Sequence, residues 1–136
     1  MDFTLSLSAA QQAVFEGPFN LGIVEVAEIH LTHTPLGLTI KTTYVPLSQS
    51  RADMYLVEDG KANIGFAHEY YDVITLPDGR TATVQGEVFT TGAQMPATID
   101  LFYVDSQQLL RLDTKTNTAS LVLLTPESQE ALFEGI

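Results

Sequence analysis

The sequence predicts an all-β protein: an antiparallel meander of about nine to ten strands that forms a small barrel or a two-sheet sandwich, with a short helix near each end. Two tetrapeptides predict the meander, Glu58-Asp59-Gly60-Lys61 and Pro77-Asp78-Gly79-Arg80. Each lies between runs rich in β-branched and aromatic residues, and Asp-Gly supplies the positive φ angles that tight hairpins need. These turns predict four consecutive antiparallel strands across residues 53–91.

A strand followed by a helix is predicted at the start of the chain. Residues 3–7 alternate between apolar and polar side chains, which is typical of a strand. Ser8-Ala9-Ala10-Gln11 then has the form of a capping box, and it predicts a short helix over residues 9–16. Gly17 suits a left-handed C-terminal cap, and Pro18 prevents the helix from continuing.

The strand predicted at residues 21–33 contains a change of phase. Val24 and Val26 are at even-numbered positions, whereas Ile29 and Leu31 are at odd-numbered positions, so the two pairs would point to opposite faces of a regular strand. A regular strand cannot turn both pairs towards one core. A β-bulge near residues 27–28 would restore the register and bend the strand.

The later elements follow from alternation and from turn residues. Strands are predicted at 38–44, 53–57, 63–67, 70–76, 81–91, 98–104, 108–113 and 119–124. In the strand at 81–91 the even-numbered residues, which include the apolar Ala82 and Val84, are expected to face inward. Gln85 and Glu87 are expected to face outward.

The end of the chain predicts a second helix. Thr125-Pro126-Glu127 begins it with a hydroxyl cap, a proline at the first position and an acid near the positive end of the helix dipole. Leu132, Phe133 and Ile136 are expected to dock this helix on the sheet or on a partner.

Composition limits the class of protein. The 136 residues fit one domain spanning 1–136, and 17 acidic against 6 basic residues give a net charge of −11. Such a charge repels phosphate backbones and anionic lipids, so neither nucleic acid nor membrane is an expected partner. The absence of cysteine, of a long apolar run and of a signal-like start leads us to expect a cytoplasmic protein.

The densest polar and aromatic cluster is His68-Glu69-Tyr70-Tyr71-Asp72. Within a strand His68 and Tyr70 share a face, where an imidazole and a phenol could bind or protonate a polar ligand group. Together with His30 and Tyr44 they are the predicted ligand-binding residues. The alternative is an ordinary connection in which His68 is solvated and the tyrosines pack at a sheet edge.

No metal or cofactor is expected. His30 and His33 are three apart in a predicted strand and therefore face opposite sides. The chain has no Gly-rich phosphate loop, no dinucleotide fingerprint and no Gly-x-Ser-x-Gly elbow. Glu25 and Glu28 could form an acid pair if buried, although acids in such strands more often face water.

These observations lead to three hypotheses of function. The first is a non-enzymatic binding module that holds an apolar small ligand in a barrel interior or a protein partner at its surface; the 45% hydrophobic content supports it. The second is a small-substrate isomerase, cyclase or hydrolase that uses the His68 and Tyr70 pair. The third is an acidic interaction or inhibitor protein. Homodimerisation is a further expectation, because strand edges need protection.

Overall fold

The computed structural model describes residues 12–34, 37–49, 53–58, 61–64, 68–91 and 94–133, and it excludes the side chains of residues 58, 61–64, 68–71 and 132–133. Ten strands and one helix are present in that part of the chain. They are β1 (Gln12–Asn20), β2 (Val24–Thr34), β3 (Gly37–Pro46), β4 (Met54–Glu58), β5 (Lys61–Ile64), β6 (His68–Thr75), β7 (Thr81–Phe89), β8 (Thr98–Tyr103), β9 (Gln108–Asp113), β10 (Thr118–Leu123) and α1 (Pro126–Phe133). The strands predicted from residue 21 onward are confirmed, except that the strand predicted at 63–67 is β5 at Lys61–Ile64 and residues 65–67 lie outside the described part.

The strands form two five-stranded antiparallel sheets that share one apolar core. Sheet A has the order β1-β2-β3-β7-β6, and sheet B has the order β10-β9-β8-β4-β5. Phe15, Ile29 and Ile40 of sheet A pack in the same buried cluster as Leu101 and Leu110 of sheet B. The all-β class is confirmed. Within the described residues the sheets do not close into a barrel, so the barrel alternative is wrong.

The stretch from 53 to 91 is not the continuous meander that the Asp-Gly turns predicted. β4 pairs with β5 in sheet B, and β6 pairs with β7 in sheet A, so two local hairpins belong to different sheets. Turn chemistry determines which neighbouring strands pair, but it does not determine the sheet in which the hairpin lies.

The turn between β6 and β7 is a three-residue hairpin loop. The N–H of Gly79 donates to the Leu76 carbonyl at 2.9 Å, and the N–H of Leu76 donates to the Arg80 carbonyl at 2.8 Å. Gly79 has a φ of 90°, as the last loop position requires. The backbone and guanidinium of Arg80 lower the pKa of the Asp78 carboxyl. The first Asp-Gly pair, at residues 59–60, lies outside the described residues.

The predicted N-terminal helix is wrong from residue 12 onward, because that part is strand β1. Ala13 and Phe15 are buried, whereas Gln12, Val14 and Glu16 are exposed. This alternation allows β1 to cover the core beside β2, a gain that outweighs a local helix signal. Gly17 lies inside β1 and is not a helix cap, while residues 3–11 are outside the described part.

The bulge predicted in β2 is confirmed. The pairing of β2 with β3 passes from Val26–Tyr44 to Glu28–Thr43, which leaves Ala27 as the extra residue. Apolar residues on both sides of Ala27 are therefore buried on one face.

The C-terminal helix α1 is also confirmed. The hydroxyl of Thr125 accepts a hydrogen bond from the N–H of Ser128 at 3.1 Å, and this caps the helix. The Gln129 side chain donates to the Ser106 carbonyl at 2.7 Å. α1 follows β10 and contacts β5, which lies at the opposite end of the strand order of sheet B. The side chains of Leu132, Phe133 and Ile136 are outside the described part, so their docking stays a prediction. The described helix is too short to cross a membrane.

Two glycines provide a test of this fold. Gly79 and Gly37 both have positive φ, at 90° and 138°, but a Cβ at Gly79 would meet no atom within 4 Å, whereas a Cβ at Gly37 would lie 2.4 Å from the Phe89 carbonyl oxygen. We expect Gly79→Ala to lower the free energy of unfolding by about 1 kcal/mol through backbone strain. Gly37→Ala adds a clash and should cost about 3 kcal/mol. Urea unfolding measures both, and equal losses would contradict the register of β3 and β7.

Candidate functional site: a polar network between the sheets

β7 directs two polar residues into the core, contrary to the expectation from its sequence. In the register of β3 and β7, Thr42 pairs with Gln85 and Ile40 pairs with Glu87. Directly opposed residues point to the same side of a sheet, and the β3 residues face the core. Gln85 and Glu87 are accordingly 4% and 3% exposed. The prediction that they face outward is wrong because β7 is buried on both faces, with Ala82 buried on the other side.

Hydrogen bonds join these residues in a chain. The Tyr44 hydroxyl donates to Gln85 Oε1 at 3.1 Å, and Gln85 Nε2 donates to Glu87 Oε1 at 2.6 Å. The backbone N–H of Met54 donates to Glu87 from the opposite sheet. Because polar groups in an apolar core are costly unless they are bonded, this chain stabilises one arrangement of the interior.

A tyrosine from sheet B completes the cluster. The Tyr103 hydroxyl donates to Thr42 Oγ1 over a long 3.4 Å, and the rings of Tyr103 and Tyr44 are tilted by 57° with centroids 5.7 Å apart. Complete burial raises the pKa of Tyr103 well above its usual range, so its phenol keeps its proton. We call Thr42, Tyr44, Gln85, Glu87 and Tyr103 the polar network.

Glu87 is the titratable centre of the polar network. Burial, and secondarily the negative charge of Asp53, raise the pKa of Glu87 to about 7. The hydrogen bonds from Gln85 and Met54 lower it, but they do not offset burial. A carboxyl with this pKa can take up or release a proton near neutrality, as a general acid or base does. It lies inside the core, however, and its described hydrogen bonds are to the protein itself.

The structure separates two of the predicted ligand-binding residues. Tyr44 is 5% exposed and belongs to the polar network. His30 lies on the outer face of sheet A, where its ring is paired with the Glu28 carboxylate. Its side chain is 38% exposed and borders a hollow of about 230 Å³ beside Val14 and Lys41. Tyr44 and His30 therefore do not line one interior site.

The other two candidates, His68 and Tyr70, lie on β6 at an irregular point of its pairing. His68 is opposite Glu87 in the register, and the register shifts between His68 and Tyr71. The side chains of His68 and Tyr70 are outside the described part, so their role in ligand binding stays a prediction. The position opposite Glu87 places the backbone of His68 beside the polar network.

The remaining candidate residues, His33, Glu25 and Glu28, contact other side chains of the same chain. His33 is buried, and its Nε2 lies 3.1 Å from Thr91 Oγ1, so His30 and His33 face opposite sides as expected. Glu25 pairs with Arg80, so Glu25 and Glu28 do not form an acid pair. In the described residues no group of three or more His, Asp and Glu side chains could hold a metal ion.

A surface groove of about 400 Å³ lies where the β6–β7 turn meets β1 and β2. The residues that line it are Gly17, Pro18, Ala27, Leu76, Pro77, Asp78 and Arg80. Because Arg80 is paired with both Asp78 and Glu25, its charge is largely neutralised by the protein. The groove therefore offers an anionic ligand little net attraction.

Sequence reasoning missed Gln85, Glu87 and Tyr103. Gln85 and Glu87 alternate with apolar residues, and this pattern by itself indicates an outward face. The available signal was the opposing strand: Thr42 and Tyr44 alternate in step with the apolar Leu38 and Ile40 along β3, and polar residues in a core require polar partners.

We expect Glu87→Gln to change how stability depends on pH. Since the pKa of Glu87 is raised from 4.5 to about 7, its carboxyl contributes stability that is complete below about pH 4.5 and is lost as the pH rises through about 7. The amide does not titrate. Between about pH 5.5 and about pH 8 the wild type should therefore lose about 2 kcal/mol relative to the variant. Urea unfolding at both pH values measures this difference.

Glu16→Gln is the matched control, because Glu16 is exposed on β1. It should leave the pH dependence of the wild type unchanged. Parallel pH profiles for wild type and Glu87→Gln would show that Glu87 has an ordinary carboxyl pKa.

Comparisons of the chain with protein-family models, with curated proteins and with solved structures gave no match in any of the three. A functional assignment consequently rests on the chain's own residues.

Proposed function

We propose that this chain is a non-enzymatic binding module that holds a protein partner at its surface, through an extended segment added to the edge of β10 with which no described strand pairs. The observation that carries the proposal is the unprotected character of this edge strand. Proteins normally protect an exposed edge with a charge, a proline, a bulge or a very short strand. β10 has six residues, none of them charged and none proline, and its pairing with β9 is regular.

The other edge strands of the described sheets are protected. β1 contains Pro18 and an irregular register between Glu16 and Phe19. β5 has only four residues. β6 has a register shift, and the Asp72 carboxylate accepts a hydrogen bond from the N–H of Val73 at 2.9 Å. β10 is thus the edge at which strand addition is least opposed.

The alternation of hydrogen-bonded pairs between β9 and β10 shows which main-chain N–H and C=O groups of β10 point to this edge. The N–H of Leu124 donates to the Gln107 carbonyl at 2.9 Å, and the register of β10 continues from that pair. Hydrogen-bonded pairs alternate with non-bonded pairs in an antiparallel ladder. The N–H and C=O groups of Ala119, Leu121 and Leu123 therefore point away from β9, to the free edge.

Two exposed leucines add apolar area to these main-chain groups. Leu121 is 39% exposed and Leu123 is 73% exposed. They share one side of the strand, because side chains alternate. Main-chain hydrogen bonds with alternate side-chain contacts are how an added β-strand is recognised.

The architecture favours a partner at the surface over a ligand in the interior. An apolar ligand was expected in a barrel, and the described strands form two sheets that share a packed core. A strand without charges also distinguishes this proposal from an acidic inhibitor, because binding at β10 should depend weakly on salt.

Selection of random peptides displayed on phage tests the proposal with the folded wild-type chain as bait. We expect enriched peptides with alternating apolar residues, because an added strand presents alternate side chains to one face. Leu121→Pro removes a free-edge N–H and leaves the bonds to β9 in place, so it should weaken peptide binding by about ten-fold or more.

Val73→Pro is the matched control, since it makes the same change at an exposed apolar residue on the β6 edge. It should leave peptide affinity unchanged. Peptides that bind Leu121→Pro as tightly as the wild type, or a selection without enrichment on a bait that ultracentrifugation shows to be monomeric, would refute the proposal.

A further inference from the structure

We infer that the protein partner at β10 is a second copy of this chain, joined by antiparallel pairing of the two β10 strands. The inference rests on the proposed function and specifies its partner. Such an interface is two-fold symmetric, and it would join the two copies of sheet B into one continuous sheet.

The free-edge groups are complementary to themselves. A two-fold axis at Leu121 places that residue opposite Leu121 of the partner subunit, and it places Ala119 opposite Leu123 of the partner subunit. All the residues in these pairs direct N–H and C=O to the free edge, because they alternate with the residues bonded to β9. Each pair can then exchange two main-chain hydrogen bonds, and no edge group between residues 119 and 123 lacks a partner.

The side chains fit the same register. Ala119, Leu121 and Leu123 lie on one side of β10, so the small Ala119 faces the large and exposed Leu123 of the partner subunit. The two Leu121 side chains meet at the axis. Leu121 and Leu123 would both lose exposed apolar area on pairing.

The charge of the molecule favours β10 as the place where two copies meet. At a net charge of −11, two copies repel each other over most approaches. The sequence from Asn117 to Pro126 contains no charged residue. The charge opposite Ser120 on β9 is Arg111, which is paired with Asp100 at 2.9 Å. Neutral strands can therefore approach here without like-charge contact.

α1 leaves the edge accessible. It contacts β5, which lies at the opposite end of the strand order from β10. The contacts of β10 with β1 join the two sheets within one molecule, and β1 carries the protective Pro18 and register shift. Pairing with a second copy is therefore expected at β10 rather than at β1.

Analytical ultracentrifugation with charge exchange at Leu121 tests the inference. We expect the wild type to sediment at about twice its chain mass of 14.9 kDa. Leu121→Lys and Leu121→Glu should each be monomeric, because like charges meet at the axis. Their equimolar mixture should recover the dimer, since a lysine then lies opposite a glutamate. Val73→Lys, the control on β6, should remain dimeric.

Amide hydrogen exchange gives a reading that needs no variant. On raising the wild-type concentration, exchange at Ala119, Leu121 and Leu123 should slow by about ten-fold or more, while exchange at Val73 should not change. This measurement stands even if a Leu121 variant fails to fold.

Several outcomes would overturn the inference. One is a wild type that is monomeric at every concentration, and another is a dimer that Leu121→Lys leaves intact. A third is a monomer in which the three amides are slow at all concentrations, because its own chain would then cover the edge. If a monomeric wild type still binds selected peptides through Leu121, the second copy is wrong and the proposed function stands. If it binds neither, both are wrong.

Discussion

The extra residue in β2 is the constraint on which the rest of the structure depends. Val26 precedes Ala27 and Ile29 follows it, and both reach the same core only because the register skips Ala27. Without this skip, the apolar residues on one side of the bulge would face solvent, at a cost of about 2 kcal/mol for each large side chain. The neighbouring β1 shifts register at the same level, between Glu16 and Phe19, so the irregularity is shared by two strands.

The features that could be predicted from sequence are those determined by local chemistry. The turn at Gly79, the cap at Thr125 and the bulge at Ala27 each follow from a few neighbouring residues. The capping-box pattern at the N-terminus was misleading, because Phe15 gains more from packing between two sheets than a single helical turn provides. Which hairpin enters which sheet could not be predicted, since it depends on pairings between strands distant in sequence.

The polar network shows the same limit at the candidate site. Tyr44 was among the predicted ligand-binding residues, but its partners Gln85 and Glu87 have the pattern of a solvent-facing strand. Their inward direction is set by pairing with β3, and Tyr103 reaches Thr42 only because the sheets stack. The hydrogen bonds of the network fix how the two sheets are aligned, which apolar packing alone specifies less sharply.

The strand order has a consequence for how the chain folds. β3 pairs with β7 in one sheet and β4 pairs with β8 in the other, so the two long-range pairings interlock along the chain. Neither sheet can be completed from a segment that holds only its own strands, because β4 and β5 lie between strands of sheet A along the chain, and β6 and β7 lie between strands of sheet B. Each long-range pairing must therefore close a loop that contains strands of the other sheet, which favours slow folding. A protease cut between β3 and β4 would separate β3 from β7, and a cut between β7 and β8 would separate β4 from β8, so either cut leaves one sheet divided between two fragments and the shared core incomplete in both.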